Sequence, residues 1–194
     1  YNIPYNKEVS EGTVVHVAAD GEYEGYILIA DQVKDDASEA VSVLKKQNIK
    51  EIVMLTGDSE SAGIKTAEEL GIDTVYAQLL PADKVEKVEE LISKKSEKAT
   101  LMFVGDGIND APVLARADVG VAMGGLGSDA AIEAADVVIM TDEPSKIAAA
   151  IEISKNTLKI AYQNIVFAIS IKVIILLLST FGLTSLWAAV FADV

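Results

Sequence analysis

The charged residues are distributed very unevenly along the chain. Residues 160–194 contain two charged side chains, Lys172 and Asp193, so the formal net charge of −14 falls entirely on residues 1–159. A helix that spans a bilayer needs roughly 20 predominantly apolar residues, and residues 160–180 meet that requirement. This division predicts an acidic, water-soluble body followed by a membrane-spanning helix.

The flanks of the apolar segment predict its orientation. Lys155 and Lys159 precede it, and no charge lies in the loop that follows. By the positive-inside rule we expect residues 1–155 to be cytoplasmic, in the plasma membrane of a bacterium. We also expect a turn at residues 182–185 and the start of a second helix at residues 186–194. The alternative is a core helix of a soluble domain, but such helices are usually shorter.

The composition excludes several classes of function. The acidity of the body argues against sequence-independent binding to nucleic acid, which depends on a basic surface. The chain contains no cysteine, which excludes disulfides and thiol nucleophiles, and its single histidine, His16, excludes a site built from several imidazoles. Because the sequence begins with Tyr1 instead of methionine and ends abruptly at Val194, we expect a fragment of a longer chain.

The pattern of apolar residues predicts an α/β fold. Residues 13–30 alternate apolar and polar side chains around Asp20 and Gly21, which is typical of a β-hairpin. Beyond the hairpin, strands alternate with helices, and this order indicates a parallel sheet with helices on both faces. The predicted strands are 51–55, 74–76, 101–104, 118–122 and 136–140, and the predicted helices are 36–47, 59–70, 82–95, 109–116, 127–134 and one from 144 onward.

Polar residues follow two of these strands. Residues 56–58 (Thr-Gly-Asp) end the strand at 51–55, and residues 105–112 (Gly-Asp-Gly-Ile-Asn-Asp-Ala-Pro) end the strand at 101–104. Ligands of open parallel sheets bind at the carboxyl ends of the strands. Asp106 and Asp110 place two carboxylates four residues apart, and hard oxygen ligands of this kind suit Mg²⁺.

Two further residues favour a phosphoryl group as the ligand. Thr56 offers a hydroxyl and an N–H to a phosphoryl oxygen, and Lys84, in the run Pro-Ala-Asp-Lys at 81–84, offers a positive charge. Phosphoryl transfer is catalysed mainly by positioning and by neutralisation of charge. Taken singly, Thr-Gly-Asp is typical of a turn with a helix cap and a helical lysine is usually solvated; the combination at strand ends favours the functional interpretation. The sequence lacks the glycine-rich loop of P-loop NTPases.

These three motifs resemble the C-terminal half of the phosphorylation domain of P-type ATPases, which has a haloacid-dehalogenase-like fold. The resemblance covers essentially the whole chain. It implies that residues 1–30 end a nucleotide-binding domain, that residues 31–150 belong to the phosphorylation domain, and that residues 151–194 form a transmembrane helix and the start of a second.

The resemblance also implies roles for individual residues. The phosphoryl-binding set consists of Thr56, Gly57, Asp58, Lys84 and Asn109; Asp106 and Asp110 hold Mg²⁺; Asp31 and Lys34 contact ATP. The nucleophile of the family is the aspartate of Asp-Lys-Thr-Gly-Thr, and no such run occurs in this sequence. We therefore expect these 194 residues alone to be inactive, because covalent catalysis requires its nucleophile.

The apolar tail contains Gln-Asn at 163–164, Ile-Lys at 171–172, Leu-Trp at 186–187 and Ala-Asp at 192–193. With these residues it resembles pumps of the zinc/cadmium/lead group. Lys172 lies about 18 Å along a helix from Ile160, at about 1.5 Å per residue, which disfavours simple snorkelling to the interface. In that group a lysine and an aspartate belong to the membrane site, so the resemblance implies that Asp193 binds a divalent ion such as Zn²⁺ and Lys172 is its counter-ion. The implied partners are the transported ion and the lipid bilayer, with a monomeric pump when intact.

Two other interpretations remain open from the sequence. One is a soluble phosphatase of the haloacid-dehalogenase type, which would need an upstream Asp-x-Asp and no membrane helix. The other is a truncated membrane protein that binds Mg²⁺ and phosphate without turnover. The apolar tail argues against the first of these, and the missing nucleophile is compatible with the second.

Overall fold

The computed structural model describes residues 13–29, 32–105, 108–124 and 129–183. The chain divides into two compact units, Tyr1–Ile147 and Ala148–Val194. Three residues to which we assigned roles, Asp31, Asp106 and Asp193, lie outside the described ranges.

The first two strands form the antiparallel hairpin that the Asp-Gly pair predicts. Strand β1 (Thr13–Ala19) pairs with β2 (Glu22–Ile29). Asp20 and Gly21 connect them with φ of 51° and 86°. Positive φ at both central residues is the requirement of a type I′ turn, whose twist matches that of the flanking strands.

The remaining described strands are parallel, as the alternation of strands and helices predicts. They are β3 (Val53–Leu55), β4 (Thr74–Tyr76), β5 (Met102–Gly105), β6 (Val119–Met123) and β7 (Val137–Ile139). Strand β3 pairs with β4, and β6 lies between β5 and β7. Within the described residues the parallel strands thus form a two-stranded sheet and a three-stranded sheet with no ladder between them.

Among the residues that the structure describes, six α-helices connect or follow these strands. They are α1 (Ala37–Lys46), α2 (Glu60–Leu70), α3 (Pro81–Lys94), α4 (Ala111–Leu114), α5 (Asp129–Ala134) and α6 (Ser145–Thr180). Local sequence explains several of their ends. The Ser59 hydroxyl caps α2 by accepting from the Ala62 N–H, Gly71 ends it in the left-handed region at φ 70°, and Pro81 begins α3, where a missing N–H has no consequence.

One predicted helix differs from the observed structure. Residues 109–116 were expected to be a single α-helix, but Ile108–Asp110 form a 3₁₀ turn and α4 begins only at Ala111. Pro112 has no N–H to donate to the carbonyl of residue 108, so α-helical hydrogen bonding cannot extend back to that residue.

The buried core of the first unit surrounds strand β6. Its centre is a cluster of Leu114, Ala122 and Ala131, from α4, β6 and α5. Val88 of α3 and Val113 of α4 are also almost completely buried. This packing fixes α4 against the three-stranded sheet and α3 against α4. Helix α3 carries Lys84 of the predicted site, and Asp110 immediately precedes α4.

Helix α6 is a single helix of 36 residues. It is long and apolar enough to cross a membrane, with a mean hydropathy of 2.0 over its most apolar stretch. The helix ends at a turn in which Gly182 has φ 71° and the Leu183 N–H donates to the Leu178 carbonyl over 3.0 Å. This is a glycine-terminated helix end. The turn predicted at 182–185 therefore begins as expected, while the second helix predicted at 186–194 lies outside the described residues.

Candidate phosphoryl-transfer site

Three elements carry the described part of the predicted site. Thr56 follows β3 directly, Asp110 ends the 3₁₀ turn that follows β5, and Lys84 lies in the first turn of α3. Both strands present their carboxyl ends, which is where open parallel sheets bind ligands. Of the residues predicted for this edge, Asp106 lies outside the described ranges and Asn109 is exposed in the 3₁₀ turn.

The closest relationship in the site is an ion pair between Lys84 and Asp110. The Lys84 ammonium donates to Oδ1 of Asp110 over 2.9 Å. Only 20% of the Lys84 side chain and 12% of the Asp110 side chain are exposed to solvent. A partly enclosed pair is screened much less by salt and water than a surface pair. The structure thus brings together the predicted phosphoryl-neutralising cation and one predicted magnesium ligand, which are 26 residues apart.

Gly105 allows Asp110 to occupy this position. A Cβ atom at residue 105 would lie 2.8 Å from Cβ and 2.9 Å from Oδ2 of Asp110. Such contacts are too short for any side chain, so only glycine permits the turn to fold back on the strand end. It is therefore the Asp110 side chain that approaches the Gly105 backbone.

Lys84 is positioned by the start of α3. The carboxylate of Asp83 accepts a hydrogen bond from the Leu80 N–H over 2.8 Å, and the Lys84 N–H donates to the Leu80 carbonyl over 3.1 Å. These bonds satisfy orphan groups at the helix end and fix the first helical turn. Because Lys84 lies in that turn, its backbone is fixed while its side chain extends to Asp110.

The loop at residues 56–58 is closed on itself. The Thr56 hydroxyl donates to Oδ2 of Asp58 over 2.8 Å and accepts from the Asp58 N–H over 3.1 Å. Gln78 donates its N–H to the Asp58 carbonyl, and Leu79 donates to the Thr56 carbonyl. A Cβ atom on Gly57 would lie 3.4 Å from the Leu79 carbonyl oxygen. The loop is therefore held in a defined shape against the segment that follows β4.

One expectation about Thr56 is wrong. We expected it to offer both its hydroxyl and its N–H to a phosphoryl group, but the N–H donates to the Tyr76 carbonyl over 2.9 Å. This bond continues the parallel pairing of β3 with β4 by one residue beyond the strand. The Thr56 hydroxyl, whose one proton goes to Asp58 in this structure, can donate to a ligand only by turning away from that carboxylate.

The predicted nucleotide contact Lys34 and the predicted membrane residue Lys172 have different surroundings. Lys34 forms an ion pair with Asp142 next to a cavity of ≈ 520 Å³. Lys172 is an exposed residue of α6 and belongs to the second unit. Asp31, the other predicted nucleotide contact, and Asp193, the predicted partner of Lys172, lie outside the described ranges.

The donor set around Asp110 fits Mg²⁺. No group of three or more histidine or acidic side chains that could hold a metal ion occurs within the described ranges. Magnesium, however, usually takes one or two carboxylates and completes its shell with water and substrate phosphate. Asp110 supplies a largely enclosed carboxylate at the strand ends, and Lys84 beside it suits an anionic substrate.

The class of protein follows from these features together: parallel strands that carry a carboxylate, a lysine and a threonine at their carboxyl ends. A family model described as haloacid dehalogenase-like hydrolase matches residues 3–118. The chain belongs to this family.

Within it, the chain is similar to metal-transporting P-type ATPases. Over 183 residues it is 60% identical to a cadmium, zinc and cobalt-transporting ATPase of Bacillus subtilis (strain 168), covering 94% of this chain and 26% of the relative. Over 183 residues it is 59% identical to a zinc-transporting ATPase of Synechocystis sp. (strain ATCC 27184 / PCC 6803 / Kazusa), covering 94% and 25%.

A solved structure supports the same relationship. The crystal structure of a zinc-transporting PIB-type ATPase in the E2.Pi state superposes with a TM-score of 0.78 at 39% identity, covering 93% of this chain and 29% of that one. The chain spans about a quarter of the length of the curated relatives that it matches.

Proposed function

We propose that this chain is part of an ATP-driven exporter of divalent heavy-metal ions that works through an aspartyl-phosphate intermediate. The observation that carries the proposal is the enclosed Lys84–Asp110 ion pair at the strand ends, beside the Thr56 loop. The similarity to cadmium-, zinc- and cobalt-transporting ATPases over nearly all of the chain supports it.

Each residue of the site has a role in this proposal. Lys84 neutralises the phosphoryl group. The Thr56 hydroxyl turns from Asp58 to donate to a phosphoryl oxygen, while Gly57 and Asp58 shape the loop. Asp106 and Asp110 hold Mg²⁺, and Asn109 supports that site. The metal ion supplies charge neutralisation for the phosphoryl group, which is where most of the catalysis of phosphoryl transfer arises.

The nucleophile comes from outside this sequence. The run Asp-Lys-Thr-Gly-Thr is absent from the 194 residues. The two parallel sheets support a contribution from elsewhere, because β3 and β5, which carry the site at their carboxyl ends, each have a partner on one side only among the described residues. The same reasoning assigns ATP binding mainly to other parts of the protein, with Asp31 and Lys34 contributing.

The transported ion is assigned to the apolar tail. Asp193 binds the ion and Lys172 pairs with the aspartate when the ion leaves, because ionisable residues inside a membrane are costly and usually functional. Helix α6 spans the bilayer, residues 1–155 are cytoplasmic, and the intact pump acts as a monomer in the bacterial plasma membrane. The named relatives make zinc and cadmium the ions to test first.

The decisive experiment has two stages. The coding DNA is first sequenced on both sides of this segment, with an upstream Asp-Lys-Thr-Gly-Thr as the expected result. The full-length protein is then incubated with ATP and Mg²⁺, and phosphoenzyme is measured. Asp106→Ala should abolish phosphoenzyme, whereas Glu97→Ala, at an exposed turn, should not. Near-normal phosphoenzyme in Asp106→Ala, or no nucleophile motif upstream, would contradict the proposal.

The membrane site is tested separately. Lys172→Ala and Asp193→Ala should form phosphoenzyme from ATP but lose most Zn²⁺-stimulated turnover. Val173→Ala, on the next position of α6, is the matched control for a change within the helix. Unchanged metal stimulation in both variants would reject the membrane site and leave the phosphorylation chemistry in place.

A further inference from the structure

The segment 32–36, which enters α1, is connected to the beginning of α6 by two side-chain contacts. Oδ2 of Asp36 accepts a hydrogen bond from the backbone N–H of Ser145 over 2.8 Å. The Lys34 ammonium forms an ion pair with Asp142, three residues before Ser145. These contacts join residues that are 109 and 108 positions apart in the sequence.

Asp36 performs for α6 the task of an N-cap. The first N–H groups of a helix have no partner within it, and a side-chain oxygen normally accepts from one of them. The residue before α6 is Pro144, which has no side-chain oxygen. Asp36 supplies the acceptor instead, and its negative charge is favourable at the positive end of the helix. The Ser145 N–H is the main cause of the lowered pKa of Asp36.

Asp36 makes this contact at the expense of its own helix. It occupies the N-cap position of α1, where an aspartate usually accepts from its own first turn. Its carbonyl does accept from the Ala40 N–H over 2.9 Å, but its side chain makes no capping hydrogen bond to α1. One residue therefore starts α1 through its backbone and caps α6 through its carboxylate.

The contact region between segment 32–36 and residues 142–145 is polar and open to solvent. Residues 32–36 face Asp142 and Glu143 across the cavity of ≈ 520 Å³. The ion pair is itself accessible, with 36% of the Lys34 side chain and 64% of the Asp142 side chain exposed. Contacts of this kind can break and re-form without opening a packed core, because water can replace the lost partners.

We propose that Asp36, assisted by the Lys34–Asp142 ion pair, is a positioning residue that couples segment 32–36 to helix α6. Segment 32–36 follows the β1–β2 hairpin, and α6 continues without interruption from Ser145 to Thr180 through the position of Lys172. Movement of segment 32–36 therefore displaces the first turn of α6, or breaks its hydrogen bond to Asp36, and α6 is the helix that carries Lys172. The predicted effect of this coupling on turnover rests on the proposed function.

The kinetic test compares three variants in the full-length protein. Asp36→Ala should leave phosphoenzyme formation from ATP within about twofold of the wild type but slow Zn²⁺-stimulated turnover about tenfold, as expected for loss of a cap. Asp36→Asn should restore most of the turnover, because an amide oxygen caps as well as a carboxylate. Asp142→Ala should slow turnover about threefold, since an exposed ion pair contributes less.

Asp35→Ala is the matched control, because Asp35 borders the same cavity and is exposed. It should turn over at the wild-type rate. The proposal is overturned if Asp36→Ala behaves like the wild type, if Asp36→Asn is as slow as Asp36→Ala, or if Asp36→Ala loses phosphoenzyme and turnover in equal measure. The last result would mean a purely structural role.

A second measurement tests the hydrogen bond between Asp36 and Ser145 independently of the pump assay. Amide hydrogen exchange of residues 145–147 in the full-length protein should become at least tenfold faster in Asp36→Ala and remain slow in Asp36→Asn. A wild-type protein that forms no phosphoenzyme would refute the proposed function and not this contact. Unchanged exchange in Asp36→Ala would refute the contact, whatever the pump assay shows.

Discussion

Gly63 of α2 lies directly against Thr56, so that a Cβ atom at residue 63 would be 3.2 Å from Cγ2 of the threonine. The same atom would lie 3.3 Å from Val75 Cγ1 and 3.4 Å from Ala77 Cβ. Helix α2 therefore packs on the loop at residues 56–58 without an intervening side chain. The position of the Thr56 hydroxyl depends on the absence of a side chain at residue 63.

We expect Gly63→Val to displace Thr56 and to reduce phosphoenzyme formation in the full-length protein at least tenfold. Overpacking of this kind typically costs about 1–3 kcal/mol. Gly63→Ala requires shifts of only a few tenths of an ångström and should have a smaller effect. Ala62→Val, exposed on the same helix, controls for the helix propensity of valine. Equal phosphoenzyme levels in Gly63→Val and Ala62→Val would contradict the prediction.

Loss of Lys84 should lower the free energy of unfolding as well as the rate of phosphorylation. Lys84→Ala leaves the Asp110 carboxylate largely enclosed without its cation, at a cost of about 2 kcal/mol after allowance for partial exposure. Urea unfolding of the solubilised protein measures this change. The double variant Lys84→Met/Asp110→Leu should regain most of the stability but no phosphorylation. Glu86→Ala, exposed on the same helix, should be close to neutral; a large effect there would undermine the comparison.

Acid should weaken the fold over a defined range of pH. Hydrogen bonds from the Lys87 and Lys94 ammonium groups lower the pKa of Glu90 to about 2 from 4.5. Because the pKa is lower in the folded state, the stabilisation is fully present above pH 4.5 and is lost as the pH falls towards about 2. The melting temperatures of the wild type and Glu90→Gln should therefore converge as the pH falls from 6 to 3. A constant difference would argue against the assignment.

Asp136 connects strands β6 and β7 in addition to their ladder. Its carboxylate accepts from the buried Gly120 N–H over 2.8 Å, and its own N–H donates to the Gly120 carbonyl over 2.9 Å. Asp136→Ala should destabilise the protein by about 1–3 kcal/mol, because a buried N–H loses its acceptor. Asp136→Asn retains an acceptor oxygen and should lose much less. Chemical unfolding distinguishes the two, and equal losses would exclude this hydrogen bond as the cause.

The fold was largely predictable because it follows from local patterns. Asp20 and Gly21 select the hairpin turn, Gly71 ends α2, and Pro81 begins α3; each acts through its own backbone preferences. The proximity of Lys84 to Asp110 could also be anticipated, since both were expected at one edge of a parallel sheet.

Contacts between distant residues could not be anticipated in the same way. Asp73, Asp118 and Asp136 each precede a strand, and each accepts a backbone N–H within one residue of the start of the neighbouring strand. In the sequence such aspartates resemble ordinary turn residues. Two further contacts also depend on tertiary packing, which local sequence patterns do not predict. They are the hydrogen bond of Asp36 with Ser145 and that of the Thr56 N–H with Tyr76.

The separation of the parallel strands into two sheets has a practical consequence. Within the described residues β3 and β5 each leave one edge without a partner. An open strand edge presents a row of unpaired N–H and carbonyl groups that recruits strands of other molecules. We therefore expect this segment, produced by itself at high concentration, to self-associate through these edges, and we expect an added strand that covers them to keep it soluble.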